Sequence, residues 1–168
     1  FHTALENLRL ADDELLIGDI PVSRLAEQVG QTPFYAYDRE ALTRRVHTLR
    51  DAMPEGISIH YAIKANPMPA VVAHMTTLVD GLDIASGREL KVALASGADV
   101  REISFAGPGK SVDEIGQAVA AGVTLTLESE TEMRRVIDAG DRLGVTPRVA
   151  VRVNPDFELR SSGMKMSG

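Results

Sequence analysis

The sequence contains no cysteine and no tryptophan, and its aromatic residues are three tyrosines and four phenylalanines in 168 positions. Without thiols there is no disulfide framework, no thiolate zinc centre, no iron–sulfur cluster and no cysteine nucleophile. The same absence suits a reducing compartment, so the cytoplasm is the expected location. Positive charge is also scarce: 18 Lys and Arg stand against 24 Asp and Glu, a net charge of −6. The cations are scattered singly or in pairs, which leaves no electrostatic footprint for a phosphate backbone, and nucleic acid is not an expected partner. The longest stretch free of Asp, Glu, Lys, Arg and His, Ile115 to Leu127, has 13 residues and two glycines. A bilayer span needs about 20 apolar residues, so no membrane partner is expected.

What is present is a repeat of short β-branched runs at Ile57–Ile63, Gly81–Ala85, Glu102–Ala106, Val123–Leu127 and Arg148–Val153. Between them lie segments with helical periodicity, Ala70–Val79, Arg88–Ala95, Val112–Ala121 and Glu130–Leu143. Val92, Leu94 and Ala95 form one expected apolar stripe, and Ile115, Ala118 and Val119 another. Alternation of strand and helix favours parallel βαβ units, because a parallel neighbour requires a crossover connection. Ahead of the repeat, Val22–Val29 reads as a helix, Thr32–Tyr37 as a strand, and Asp38 as the N-cap of a helix running to Arg50.

Helix starts are marked by Ser86-Gly-Arg-Glu89, Ser111-Val-Asp-Glu114 and Ser129-Glu-Thr-Glu132, each a capping-box pattern in which Ser and Glu satisfy each other's backbone N–H groups. Gly97, Gly122 and either Gly140 or Gly144 are placed to close the same helices. An open doubly wound sheet and a (β/α)8 barrel both fit this pattern, but the G-x-G-x-x-G turn of dinucleotide folds is missing after the first strand. A whole barrel takes around 250 residues. The leading expectation is therefore about the first five βα units of a barrel in a longer chain, consistent with a start at Phe1 and an end in Ser161–Gly168 that do not look natural.

Lys64 breaks the apolar pattern. It is a cation at the carboxyl end of a strand whose neighbours are Ile59, Tyr61 and Ile63, and that end carries the active site in α/β folds. Partial desolvation there would disfavour the ammonium form and make Lys64 a candidate Schiff-base amine. A lysine snorkelling at a strand edge is the plainer alternative. Gly107-Pro-Gly-Lys110-Ser111 is no phosphate cradle, because the glycine that a P-loop needs five residues before Gly109 is Ser104. His60 and His74, the histidines of the repeat, lack metal-ligand spacing, and no metal is expected.

Tyr61-Ala-Ile-Lys64-Ala-Asn-Pro67 resembles the pyridoxal-phosphate lysine motif of the fold-type III decarboxylases, the ornithine and diaminopimelate decarboxylase group built on an alanine-racemase-like barrel. Thr32-Pro-Phe-Tyr-Ala-Tyr-Asp38, Gly81-Leu-Asp83-Ile-Ala-Ser-Gly-Arg-Glu89, Phe105-Ala-Gly-Pro-Gly-Lys110 and Arg152-Val-Asn-Pro155 extend the likeness in order over about residues 20 to 160. Ala65–Ala70, Phe105–Lys110, Asn154–Leu159 and Gly163–Met166 further resemble a subgroup associated with bacterial exosortase and exopolysaccharide systems. The resemblance implies an α/β architecture, a (β/α)8 TIM barrel of alanine racemase type. Residues 1–37 would be the N-terminal segment of a second, β domain and residues 38–168 the first part of the barrel.

It also implies pyridoxal 5′-phosphate as cofactor, decarboxylation of an amino acid through a Lys64 Schiff base, and a homodimer with shared active sites. Asp83 would lie near Lys64 and hold its amine protonated, and Arg152 would stabilise the cofactor's phenolic oxygen. Plainer readings pair Asp83 as a buried acid with Lys64 and give Arg152 a surface ion pair, with Arg148 on the same strand as its alternative. Glu89 matches a family position too, but its cap with Ser86 explains it without any cofactor contact. The family's ring-stacking histidine, phosphate loop, pyridine-facing glutamate and partner-subunit cysteine would lie beyond Gly168. A racemase on the same barrel and a non-catalytic regulatory homologue are the rival readings.

Overall fold

The computed structural model describes residues 9–153. Its main body is a parallel five-stranded sheet, β4 (His60–Ala62), β5 (Gly81–Ile84), β6 (Ile103–Phe105), β7 (Thr124–Leu127) and β8 (Val149–Val151), with neighbours in chain order. Helices α3 (Pro69–Thr76), α4 (Gly87–Ala95), α5 (Val112–Ala121) and α6 (Glu130–Leu143) form the crossovers. Sequential order without reversal is the winding of a βα barrel rather than of a doubly wound sheet. The Asn154–Leu159 and Gly163–Met166 motifs lie outside the described residues.

The alternation of side chains decides which face of the sheet is packed. Leu82, Ile84, Ile103, Phe105 and Leu125 are buried beneath the helices with Leu90, Ala93, Ile115, Ala118, Val119, Val136 and Ala139. Residues of opposite parity share the other face: Ala62 pairs with Asp83, Asp83 with Ser104, Ser104 with Thr124, and Thr126 with Ala150. The packed face is therefore apolar and the other face small and polar. The α4 stripe differs from expectation: Leu90 and Ala93, three apart on one face, are buried while Leu94 is exposed.

Gly81 marks the closest approach in the sheet. A Cβ there would press on the Glu102 carbonyl oxygen and stand 2.5 Å from the His60 ring, so only glycine lets β5 start beneath β4 and the turn before β6.

The three Ser-x-x-Glu patterns all cap their helices, with the Ser hydroxyl accepting from the backbone N–H three residues on. Only Ser111 and Glu114 form the reciprocal box. The Glu89 carboxylate instead accepts from the Ala85 N–H at 2.8 Å. The later glutamates reach back to the preceding unit: Glu114 accepts from the Gly87 N–H at 2.6 Å, and Glu132 meets Lys110 at 2.9 Å. Gly144, not Gly140, closes α6 with φ +67°, while Gly140 lies against Pro147.

The amide and hydroxyl of Ser111 and the amide of Gly87 hold the Glu114 carboxyl below its ordinary range. A depressed carboxyl contributes stability above its unfolded pKa, about 4.3 for Glu, and loses it as pH falls through the folded value. Glu114→Ala should cost about 0.5–2 kcal/mol near neutrality, the scale of a lost cap. In urea titrations the gap between variant and parent should close below about pH 4. A gap independent of pH would contradict this assignment.

Ahead of the sheet the chain forms β1 (Arg9–Ala11), β2 (Glu14–Ile17) and β3 (Ile20–Pro21), an antiparallel meander, then α1 (Val22–Val29) and α2 (Arg39–Ala52). The meander has two-residue loops, Asp12-Asp13 and Gly18-Asp19, all four residues with φ between 51° and 60°. These are the positive-φ turns that suit the right-handed twist of a hairpin. Asp38 caps α2 as expected, accepting from Glu40 and Ala41. Thr32–Tyr37 is not a strand: it pairs with none of the described strands, Pro33 supplies no N–H, and Tyr35 stays 90% exposed.

Candidate active site at the carboxyl ends of the strands

Lys64 sits just past β4, in a single 3-10 turn spanning Ile63–Ala65. The local sequence explains that turn. Ile63 is fully buried and anchors it, the Asn66 N–H returns to the Ile63 carbonyl, and the Asn66 side chain accepts from the Met68 N–H at 3.1 Å. Pro69 then occupies the first turn of α3, where its missing N–H costs nothing. The Tyr61 hydroxyl donates to the Asn66 carbonyl at 3.2 Å, closing a brace across the residues that flank Lys64. Burial pushes the Tyr61 phenol above its ordinary value.

Among the described residues Lys64 has no carboxylate within 4 Å, and it is exposed rather than partly desolvated as expected. Asp83 is not its partner here. Both interactions of Asp83 fall on Oδ1: the Ser104 hydroxyl donates at 2.6 Å, and His60 Nδ1 stands 3.4 Å away. The reason is register, since Ser104 lies directly opposite Asp83 on β6, whereas Lys64 has passed the end of the ladder. Neither of these neighbours engages Oδ2.

Arg152 follows β8, its N–H bonded to the Leu127 carbonyl. Its guanidinium lies 3.7 Å from the Glu128 carboxylate at the end of β7. Arg148 is at the opposite end. It contributes, after the amide and guanidinium of Arg101, to lowering the Asp99 carboxyl, which precedes β6. Lys64 and Arg152 are thus at the carboxyl ends of the outer two strands, with Asp83 between them one pleat lower.

A second group at the same end was not anticipated from the sequence. Lys110 and Glu132 are the buried charged residues among those described. Lys110 Nζ donates to the carbonyls of Gly107 at 2.6 Å and Thr126 at 2.9 Å and to Glu132 Oε1 at 2.9 Å, so all three of its N–H groups are satisfied. The other Glu132 oxygen accepts from the Glu128 N–H. Glu128 in turn accepts from the Gly107 N–H at 2.5 Å, and Gly107 adopts the φ of +116° that aims this amide inward. The available signal was the equivalence of Glu132 to Glu114 in the preceding unit.

Two clefts of about 320 and 410 Å³ lie along the N-terminal segment, and neither reaches Lys64, Asp83 or Arg152. The strand-end face is an open polar surface carrying an amine, a carboxylate and a guanidinium. That donor set fits an aldehyde cofactor with a phenolic oxygen: the amine can bond the aldehyde carbon, and the two charged groups can balance the charges that follow.

Sequential parallel winding with an amine, a carboxylate and a guanidinium at the strands' carboxyl ends is the layout of βα-barrel enzymes, whose sites lie at that end. Residues 39–168 match the family described as pyridoxal-dependent decarboxylase, pyridoxal binding domain. The chain belongs to that family, whose fold is the alanine-racemase-like barrel and whose cofactor is pyridoxal 5′-phosphate. A diaminopimelate decarboxylase of Neisseria meningitidis serogroup A is 39% identical over 158 residues, 90% of this chain and 39% of that protein. One from Aquifex aeolicus is 36% identical over 155 residues, 92% of this chain and 36% of its own. Among solved structures, an Aquifex aeolicus protein superposes with a TM-score of 0.82 at 34% identity, covering 90% of this chain and 38% of that one. The diaminopimelate decarboxylase of Helicobacter pylori complexed with L-lysine gives 0.71 at 31%, covering 80% and 34%. The chain therefore spans less than two fifths of the length of these relatives.

Proposed function

We propose that the protein containing this chain removes the α-carboxylate of an amino acid as carbon dioxide, with Lys64 as the residue whose Nζ would hold the cofactor. The observation that carries this reading is the single polar face on which Lys64, Asp83 and Arg152 stand at the strands' carboxyl ends. The bound cofactor supplies an electron sink, and the protein decides which bond at the substrate carbon breaks. Asp83, oriented by Ser104 and His60, would hold a proton on the Lys64 amine through Oδ2 once the exposed lysine side chain turns toward it. Arg152 would place positive charge beside the cofactor's phenolic oxygen. The Tyr61–Asn66 brace would keep the Lys64 backbone in place while Lys64 holds the cofactor.

The same motifs support finer assignments. Residues 1–37 are read as a segment of a second, β domain, with the meander as its beginning, and residues 38–168 as the first part of the barrel. The rest of that barrel and a second subunit would complete the site, in a cytoplasmic homodimer. The Ala65–Ala70 and Phe105–Lys110 motifs support placement in the subgroup associated with exosortase and exopolysaccharide systems.

The test is carbon dioxide release by the full-length protein, loaded with cofactor, from meso-diaminopimelate, ornithine, lysine and arginine in turn. Release from one of them is expected. Racemisation without release would favour a racemase, and failure to take up the cofactor would favour a regulatory homologue.

Asp83 and Glu89 separate by role. Asp83→Ala should lower turnover at least about tenfold with a small change in melting temperature, since its neighbours are two solvent-accessible side chains. Glu89→Ala should do the reverse, costing about 0.5–2 kcal/mol through the Ala85 and Ser86 cap. Equal thermal and catalytic losses in both variants would show that these roles are wrongly divided.

A further inference from the structure

We propose that Glu128 is a positioning residue for Arg152, fixed by the buried Lys110–Glu132 pair. This rests on the reading that Arg152 faces the cofactor. Arg152 follows the edge strand β8, and its side chain is 31% exposed, so a fixed carboxylate beside it is a restraint on where the guanidinium sits. Glu128 offers that restraint while having little freedom itself, its side chain being 12% exposed.

Both ends of Glu128 are tied. Its backbone N–H donates to Glu132 Oε2 at 2.9 Å, and its carboxylate Oε1 accepts from the Gly107 N–H at 2.5 Å. The remaining oxygen, Oε2, is the one turned to Arg152 Nη1 at 3.7 Å. Lys110 then locks the base of this arrangement, because Gly107, Thr126 and Glu132 all accept from its single ammonium group. Three consecutive units are joined in this way: the turn after β6, the end of β7 with the start of α6, and the end of β8. The 3.7 Å ion pair with Glu128 attracts the guanidinium whether or not a ligand is present.

The experiment uses the full-length protein loaded with pyridoxal 5′-phosphate and reads two quantities: cofactor affinity, and the pH midpoint of the bound cofactor's absorption band. Glu128→Gln keeps an acceptor for Gly107 but removes the charge facing Arg152, so it preserves the fold. It is expected to weaken cofactor binding roughly three- to tenfold, the scale of one charge-assisted interaction, and to move the absorption midpoint in the same direction as Arg152→Ala. In the Arg152→Ala background the further change from Glu128→Gln should vanish, and Glu128→Asp should restore part of the midpoint shift. If Arg152→Ala leaves binding and midpoint unchanged, the reading of Arg152 fails and the proposal with it. If Arg152→Ala changes them and Glu128→Gln does not, or if the two substitutions add independently, Arg152 keeps its role and the positioning proposal is overturned.

Discussion

Replacing Lys64 with alanine in the full-length protein is expected to lower turnover by roughly 10³-fold or more, the scale on which a covalent group is lost, while leaving the melting temperature of the cofactor-free protein almost unchanged. The two halves of that expectation have separate physical origins. Lys64 is exposed and pairs with no described carboxylate, so the fold gains little from its side chain. Its turn is secured by other residues, by buried Ile63, by the Asn66 bonds and by the Tyr61 brace. No other described lysine can take its place, since Lys110 has all three donors occupied and Lys91 lies on α4. A large fall in melting temperature, or activity retained within tenfold, would contradict this account.

The second large effect belongs to the other strand-end lysine and falls on stability. Lys110→Met should destabilise the protein by about 3–5 kcal/mol, because removing one partner of a buried pair leaves an uncompensated charge. Glu132 is 6% exposed and is shielded from water, and the carbonyls of Gly107 and Thr126 lose their donor as well. Lys110→Met combined with Glu132→Gln should regain part of the loss, since a neutral amide still accepts from the Glu128 N–H. Urea unfolding of the single and double variants checks both statements. A single variant within about 1 kcal/mol of the parent would mean that the pair is solvated and that Glu128 is held by something else.

The two lysines also show what can be read from the sequence. Lys64 is legible because it interrupts an apolar strand within a motif, and the strands and helices around it are legible because burial imposes periods of two and 3.6. Lys110 is not, since its worth depends on three acceptors brought together from different units, Gly107, Thr126 and Glu132. Asp83 falls on β5 as its apolar neighbours require, but its partner differs from expectation: pairing register, which sets Ser104 opposite it, is a property of two strands at once. The hairpins of residues 9–21 are hidden in the sequence because their signal is two-residue turns of Asp and Gly rather than alternation. Thr32–Tyr37 misleads the other way, having β-type composition with no described strand to pair with. Only one of the three Ser-x-x-Glu patterns closes reciprocally: Glu114 returns to Ser111 while its other oxygen takes the Gly87 N–H, whereas Glu89 is drawn one residue further back to the Ala85 N–H and Glu132 to Lys110 and the Glu128 N–H.

The central claim, that Lys64 is the residue bonded to the cofactor, is tested most directly by borohydride reduction of the cofactor-loaded full-length protein followed by peptide mapping. The account predicts one modified lysine, in the peptide containing Tyr61-Ala-Ile-Lys64-Ala-Asn66. Modification of Lys91 or Lys110 with Lys64 left free would contradict it.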